Sequence, residues 1–272
     1  RVCVKGSRRL RQWCEFEKIP ILSCGKVIAP QALNLDSQLD LLKKRGCQNG
    51  AEVHLIDEKE FFKLVPDGRT ASGRALWSPN TCVVKPKLVL ERLRKRLEER
   101  NVKFIFDANF YDVDINNRCA KFLISKSRDQ IHYGHLFNTT GLQADRISHK
   151  FQLAKHYTLL PFKGQYWKLD PRAPFNFTTN LYPVPDLNVP FLGVHVTPSP
   201  DGTVSFGPTA IPAWGRENYF GMQGFEPIMA SQFLFDLAGQ WIQNSGGFRQ
   251  YAREQALHGI KPLFVKAAQA LV

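Results

Sequence analysis

Nowhere in the 272 residues do about 18 apolar residues run uninterrupted, so no segment has the pattern of a membrane-spanning helix. Cysteine is sparse and unpatterned. Six residues, at 3, 14, 24, 47, 82 and 119, form no CxxC and no metal-ligand spacing. They read as free thiols of a reducing compartment rather than a disulfide framework. His132 and His135 sit three apart in an apparent strand, where alternation turns them to opposite faces, a poor metal site. Acidic residues are the scarcer charge: 24 Asp and Glu stand against 37 Lys and Arg, for a net charge of +13. That balance favours anionic partners such as nucleic acid, an acidic membrane surface or small carboxylates. No zinc-finger, helix-turn-helix or RNA-recognition signature accompanies it, and in "ERLRKRLEER" acids interleave with bases as on a solvated helix face. No specific nucleic-acid partner is expected. The first residues carry neither an initiator methionine nor an apolar signal core, and "VKAAQALV" closes the chain without a cap. The chain therefore reads as starting partway through a larger coding sequence.

What is present is a globular composition, 43% hydrophobic and 22% charged, long enough for one large domain or two ordinary ones. A helix is expected over Ser7 to Phe16, ended by the "KIP" turn, then a strand in "ILSCGKVIAP" closed by Pro30. "LDSQLDLLKKRGCQNG" reads as a helix with Leu35, Leu39 and Leu42 on its apolar face. "AEVHLID" and Ala75 to Trp77 read as short strands. Pro86 opens a helix with Leu88, Leu90, Leu93 and Leu97, closed by Asn101. "VKFIFD" then reads as a buried strand, and "RCAKFLISKS" with "QIHYGHLFNTTG" as a hairpin turning at "SRDQ". Beyond residue 158, strands separated by Pro and Gly turns indicate a mostly antiparallel sheet. "PDG" at 200 to 202 is a hairpin turn, and helices return from Phe225.

The stretches "LLPFKGQYWKL" and "LYPVPDLNVPFLGVHVTPSPDGTVSFGPTA" resemble the flavin-dependent L-2-hydroxyglutarate dehydrogenases and oxidases of the D-amino-acid-oxidase-like superfamily. "CVKGSRRLRQWCEFEKIPILSCGKVIA", "LFNTTGLQADRIS" and "AWGRENY" extend the resemblance over most of the chain. It implies a mixed α/β fold: a partial FAD-binding, Rossmann-like domain and a mostly antiparallel substrate domain with helices. The first would occupy 1–157, with an interleaved substrate-domain segment at about 16–75, and the second 158–272. The family's GxGxxG unit, which brings backbone close to the FAD pyrophosphate, is absent and would lie upstream, together with a family histidine. Its closing segment would lie downstream of Val272. At Lys85 the family pattern leads one to expect an acid instead.

The resemblance implies oxidation of L-2-hydroxyglutarate, or a similar 2-hydroxy acid, with hydride passing to FAD. Electrons would leave to a quinone or oxygen. The compartment implied is cytoplasmic, with peripheral attachment at an inner membrane, or a mitochondrial place in a eukaryote, as the other options. A base is needed for the hydroxyl proton, and His195, ending a proline-braced apolar run, suits that work. It stands as base or as carboxylate contact, against the plainer reading of a core histidine satisfied by a carbonyl. The missing upstream histidine is a rival for the base. A dicarboxylate calls for cations and hydroxyls, for which Lys163, Tyr166, Tyr182 and Arg216 are the candidates. Arg216 also reads as a surface loop charge, and the two tyrosines as packing aromatics. Thr139, Thr140 and Gly141 fit a strand-to-turn crossing against the cofactor. Gly164 and Gln165 fit its ring, with Gly164 allowing close backbone approach. Asp145 and Arg146 read as a helix cap and surface pair. A second class stays open: a flavin-free scaffold binding a polyanion or protein partner through its basic surface.

Overall fold

Strands with one buried and one outer face alternate in burial, and this pattern organises the computed structural model, which describes residues 2–185, 193–244, 247–249, 252–253 and 261–272. The helices are α1 (Val2–Phe16), α2 (Asp36–Gln48), α3 (Glu58–Leu64), α4 (Pro86–Glu98), α5 (Ala144–Lys150), α6 (Pro227–Gln243) and α7 (Lys261–Gln269). The strands begin with β1 (Ile21–Leu22), β2 (Lys26–Ala29), β3 (His54–Ile56), β4 (Ala75–Ser78) and β5 (Val83–Val84). They continue with β6 (Ala108–Asp114), β7 (Cys119–Ile124), β8 (Ser127–His132), β9 (Phe162–Lys163) and β10 (Trp167–Lys168). The last are β11 (Asn180–Pro183), β12 (His195–Pro198), β13 (Val204–Gly207) and β14 (Ile211–Pro212). Contacts divide the chain into two units. One comprises Arg1–Arg94, Gly164–Ile211 and Gly239–Val272, the other Lys95–Lys163 and Pro212–Ala238.

The first unit is built on a seven-stranded sheet in the order β10-β13-β12-β11-β2-β4-β3. All of its described ladders are antiparallel except β11 with β2, as the Pro- and Gly-punctuated pattern after residue 158 implies. Val27, Ala29, Leu181, Val196 and Phe206 point to one face, where Phe264 and Ala268 of α7 close a core with Phe61 and Leu271. Neighbours along each strand point the other way. Over β2, β3 and β4 that outer face is covered by α2, whose Leu39 packs with Leu76, Ile28 and Leu55. The "PDG" turn forms as expected: Ser199 N–H donates to Thr203 O (2.8 Å), and Gly202 takes a left-handed φ of 80°.

"ILSCGKVIAP" is two strands rather than one, because Gly25 breaks it with φ 64°. The buried Asn180 side chain donates to Gly25 O (2.6 Å) and Cys24 Sγ (3.0 Å), and so fixes the start of β2. A Cβ at Gly25 would stand 1.8 Å from the Trp77 ring. Gly25→Ala is therefore expected to cost more than about 1 kcal/mol, read as a drop in the thermal midpoint, through both the left-handed backbone and the clash. An unchanged midpoint would show that Trp77 swings aside freely.

In the second unit β6, β7 and β8 form a meander, and two expectations fail there. "VKFIFD" is not a buried strand: Val102, Phe104, Ile105 and Phe106 are exposed, and β6 begins only at Ala108. An extended segment needs a partner ladder, and among the described residues none runs beside it. The hairpin turns at Ser125 and Lys126, not at "SRDQ", which lies within β8. Both turn residues have positive φ, 47° and 75°, as the twist of a two-residue hairpin demands, yet neither is the Asn or Gly that usually marks it. The second strand also ends at His132, so "GHLFNTTG" approaches its turn without a ladder. Of the helical tail, "GFRQYAREQALHG" falls largely outside the described residues. Among the described residues, no helix is long and apolar enough to cross a membrane.

Candidate active site

The outer face of the first unit's sheet is polar where α2 leaves it. Leu181 pairs with Val196 in the core, so Tyr182 and His195 are register neighbours on the opposite side. Their rings stack at 3.9 Å between centroids and 20° between planes. Across the next ladder His195 pairs with Gly207. A Cβ at Gly207 would stand 2.7 Å from Gln165 O and 2.9 Å from the Tyr166 ring, so its bareness admits Tyr166 to the same row. On the other side Asn180 pairs with Lys26, whose ammonium sits 5.1 Å from the Tyr182 ring centre. The Tyr182 hydroxyl is hydrogen-bonded to Thr197, one place along β12 from the core residue Val196.

His195 is only 6% exposed, but it belongs to this polar face and not to the hydrophobic core. Its Nδ1 lies 3.1 Å from Gly193 O. A carbonyl oxygen only accepts, so Nδ1 carries the proton and Nε2 keeps a lone pair. Burial depresses the imidazole pKa, Lys26 depresses it further, and the Gly193 bond opposes both. The lowered pKa favours the neutral ring, the form a base requires. Gly193 has a packing reason as well: a Cβ there would meet Pro183 at 2.9 Å. Pro190, in the proline-braced run that leads to His195, lies outside the described residues. Burial also raises the Tyr182 pKa, partly offset by Thr197, and lowers that of Lys26.

The first unit therefore brings His195, Tyr182 and Tyr166 together and adds Lys26 and Thr197, which the sequence reading missed. The available signal was Lys26 itself, a charge in the apolar strand "KVIA". Gly164 is used inside the protein: a Cβ would stand 2.8 Å from Pro208. The exposed Gln165 is clamped by Thr209, whose Oγ1 accepts from Gln165 N–H and whose N–H donates to Gln165 O, both at 3.2 Å.

In the second unit, Arg216 is neither a surface charge nor free for a substrate. It is 5% exposed and forks onto Asp145 through Nη1 and Nη2, the latter at 2.7 Å, while Nη1 also meets Leu142 O. The Asp145 surface-pair reading falls with it: this carboxylate is buried and also accepts from Leu159 N–H (2.9 Å) and Arg146 N–H (2.8 Å). Burial alone would raise its pKa, but the guanidinium and the two N–H groups hold it well below the carboxylate range. Arg146 does sit at the surface, paired with Glu226. Lys163 donates to the buried Asn218 (2.9 Å), which leaves it engaged as well. The departure at Lys85 is answered within the first unit by an ion pair with Asp201 (2.7 Å).

Thr139, Thr140 and Gly141 form an exposed turn in the second unit. Thr140 borders a cavity of about 790 Å3 together with Phe137, Asn138 and Gln143. Gly141 has φ 56° with nothing within 4 Å of where a Cβ would stand, so its backbone is open to close approach. These features fit a polar cofactor chain laid along the turn.

The first unit holds a polar sheet face with a buried imidazole, and the second an exposed turn with an open glycine. The model for the FAD dependent oxidoreductase (DAO) family matches residues 1–258, and the chain belongs to that family. Among curated relatives, the mitochondrial L-2-hydroxyglutarate dehydrogenase of Caenorhabditis elegans is 30% identical over 269 residues, covering 97% of this chain and 59% of its own. That of Mus musculus is 31% identical over 234 residues, covering 80% and 49%. The chain thus spans about half to three-fifths of the length of these relatives. L-α-glycerophosphate oxidase from Mycoplasma pneumoniae superposes with a TM-score of 0.60 at 19% identity, over 79% of this chain and 56% of that one. Glycine oxidase from Geobacillus kaustophilus gives 0.63 at 15%, over 77% and 55%. At these identities the structures show the fold alone. The flavin-free scaffold reading is not favoured by this family match.

Proposed function

We propose that this chain carries the substrate-handling part of an enzyme that oxidises L-2-hydroxyglutarate, or a close 2-hydroxy acid, to the 2-oxo acid. The supporting observation is His195: Nδ1 is committed to Gly193 O, which leaves the Nε2 lone pair to take the hydroxyl proton. FAD, when bound, supplies the two-electron acceptor, and a quinone or oxygen would receive the electrons in turn. Tyr182 holds the imidazole plane by stacking, and Tyr166 borders the same row. Thr139, Thr140 and Gly141 would hold the cofactor's polar chain, with Gly164 and Gln165 bordering its ring. In this reading the substrate domain is 158–272 with the interleaved segment at about 16–75, and the remainder of 1–157 belongs to the FAD-binding domain. The names of the animal relatives carry "mitochondrial", the compartment to test first in a eukaryote.

The test offers the flavin-loaded protein L-2-hydroxyglutarate and, separately, amino acids under anaerobic conditions. Bleaching of the flavin band near about 450 nm by the hydroxy acid is expected. Bleaching by amino acids alone would overturn the reading.

A further inference from the structure

A lysine held half-buried without a counter-ion is costly unless something anionic comes to it. Lys26 is in that position. Desolvation lowers its pKa, and among the described residues its ammonium faces the Tyr182 ring, not a carboxylate. It also lines an open cavity of about 770 Å3 with Arg8, Arg11, Ser78 and Thr81, where the acid Glu52 is engaged by Asn80 and His54. Ser78 is its register partner across β4, so its side chain projects to the same face as that of Lys26. Arg11 spends a donor on Asn80 O (2.6 Å), whereas Lys26 lies over the Tyr182 ring that stacks on His195. The two cations first expected to hold a dicarboxylate are engaged elsewhere, Arg216 by Asp145 and Lys163 by Asn218.

We propose that Lys26 receives the distal carboxylate of a dicarboxylate substrate, and that its place across the Tyr182 ring from His195 sets the preference for a second acid group. The inference rests on the 2-hydroxy-acid reading above. The hydroxyl is deprotonated at one end of the row while the far carboxylate is anchored at the other. Only an acid with a carboxylate beyond its hydroxyl carbon meets both. Lys26 acts as a specificity residue and takes no proton from the substrate, although its charge also lowers the His195 pKa.

The experiment compares L-2-hydroxyglutarate with its distal monoamide on the flavin-loaded protein. At about pH 8, where the imidazole is neutral with or without the lysine, Lys26→Met is expected to lower kcat/KM for the dicarboxylate about 10- to 100-fold, mainly through KM, and to leave the monoamide within about threefold. Lys26→Arg is expected to restore much of the preference. Equal losses on both substrates, or no loss on either, would overturn the proposal. Should Lys26→Met fail to fold, Lys26→Gln gives the same comparison, because only the ratio of substrates is read. Should the protein oxidise neither compound, the functional reading fails on its own. Lys26 is then judged by calorimetry with glutarate and its monoamide. A preference for glutarate that vanishes in the variant supports the site, and equal binding of the two by the unaltered protein refutes it.

Discussion

Replacing His195 with asparagine is expected to slow substrate-driven flavin reduction about 10²- to 10⁴-fold with little change in KM. Asparagine can still donate to Gly193 O, so the hydrogen bond that orients the ring survives while the lone pair that accepts the proton is lost. Stopped-flow absorbance measures this directly. A variant retaining more than about a tenth of the wild-type rate would transfer the role of base to another group.

The same residue carries a pH signature. Because burial and Lys26 lower its pKa, the ring stays neutral below about 6.5, the ordinary histidine value. The acid limb of the rate profile should therefore lie below that pH. The stability effect follows the same sign: the unfolded chain takes up the proton first. The contribution of His195 is thus complete above about 6.5 and is lost as pH falls toward its folded pKa. His195→Asn should flatten this part of the stability curve and remove one resonance from a histidine NMR titration. A resonance titrating above 6.5 and absent from the variant would contradict the buried neutral ring.

The second large effect concerns Asp145 and Arg216. Asp145→Ala is expected to cost about 3–5 kcal/mol of stability, because it leaves a guanidinium buried without its carboxylate. The Arg216 Nε already lacks a partner, so the unbalanced charge has little else to turn to. Replacing both residues, Asp145→Leu with Arg216→Met, should recover most of the loss, since an apolar pair of similar volume avoids the desolvation. The pair also sets an acid dependence. With the carboxylate held well below its ordinary range, its contribution is present above about pH 4 and fades as pH falls toward the folded value. Denaturant titrations across pH read both effects. A loss under about 1 kcal/mol for Asp145→Ala would mean that water reaches the pair and shares its charge.

Local chemistry made several elements readable. Pro86 and the leucine spacing place α4 within a residue or two of its observed ends, and "PDG" marks its turn because Asp201 and Gly202 satisfy it within a few residues. Alternating strands after residue 158 announce the antiparallel ladders. The turn at Ser125 and Lys126 escapes the same logic, since its positive φ angles are imposed by the pairing of β7 with β8 and not by the residues themselves. "VKFIFD" shows the reverse: its apolar, β-prone letters promise a strand, but a strand exists only where another supplies hydrogen bonds.

The site divides along the same line. His195, Tyr182 and Tyr166 stand in motifs whose order carries the family resemblance, and that order by itself determined the family and the kind of chemistry to look for. Tertiary structure alone decided which cations are free. Arg216 reads as a loop charge because its carboxylate lies 71 residues away, and Lys26 reads as an isolated strand charge because Tyr182 and His195 arrive from β11 and β12. The reason is that burial and electrostatic pairing are properties of neighbours in space: a sequence states which groups exist, and only the packed chain determines which of them are shielded from water and which remain unpaired.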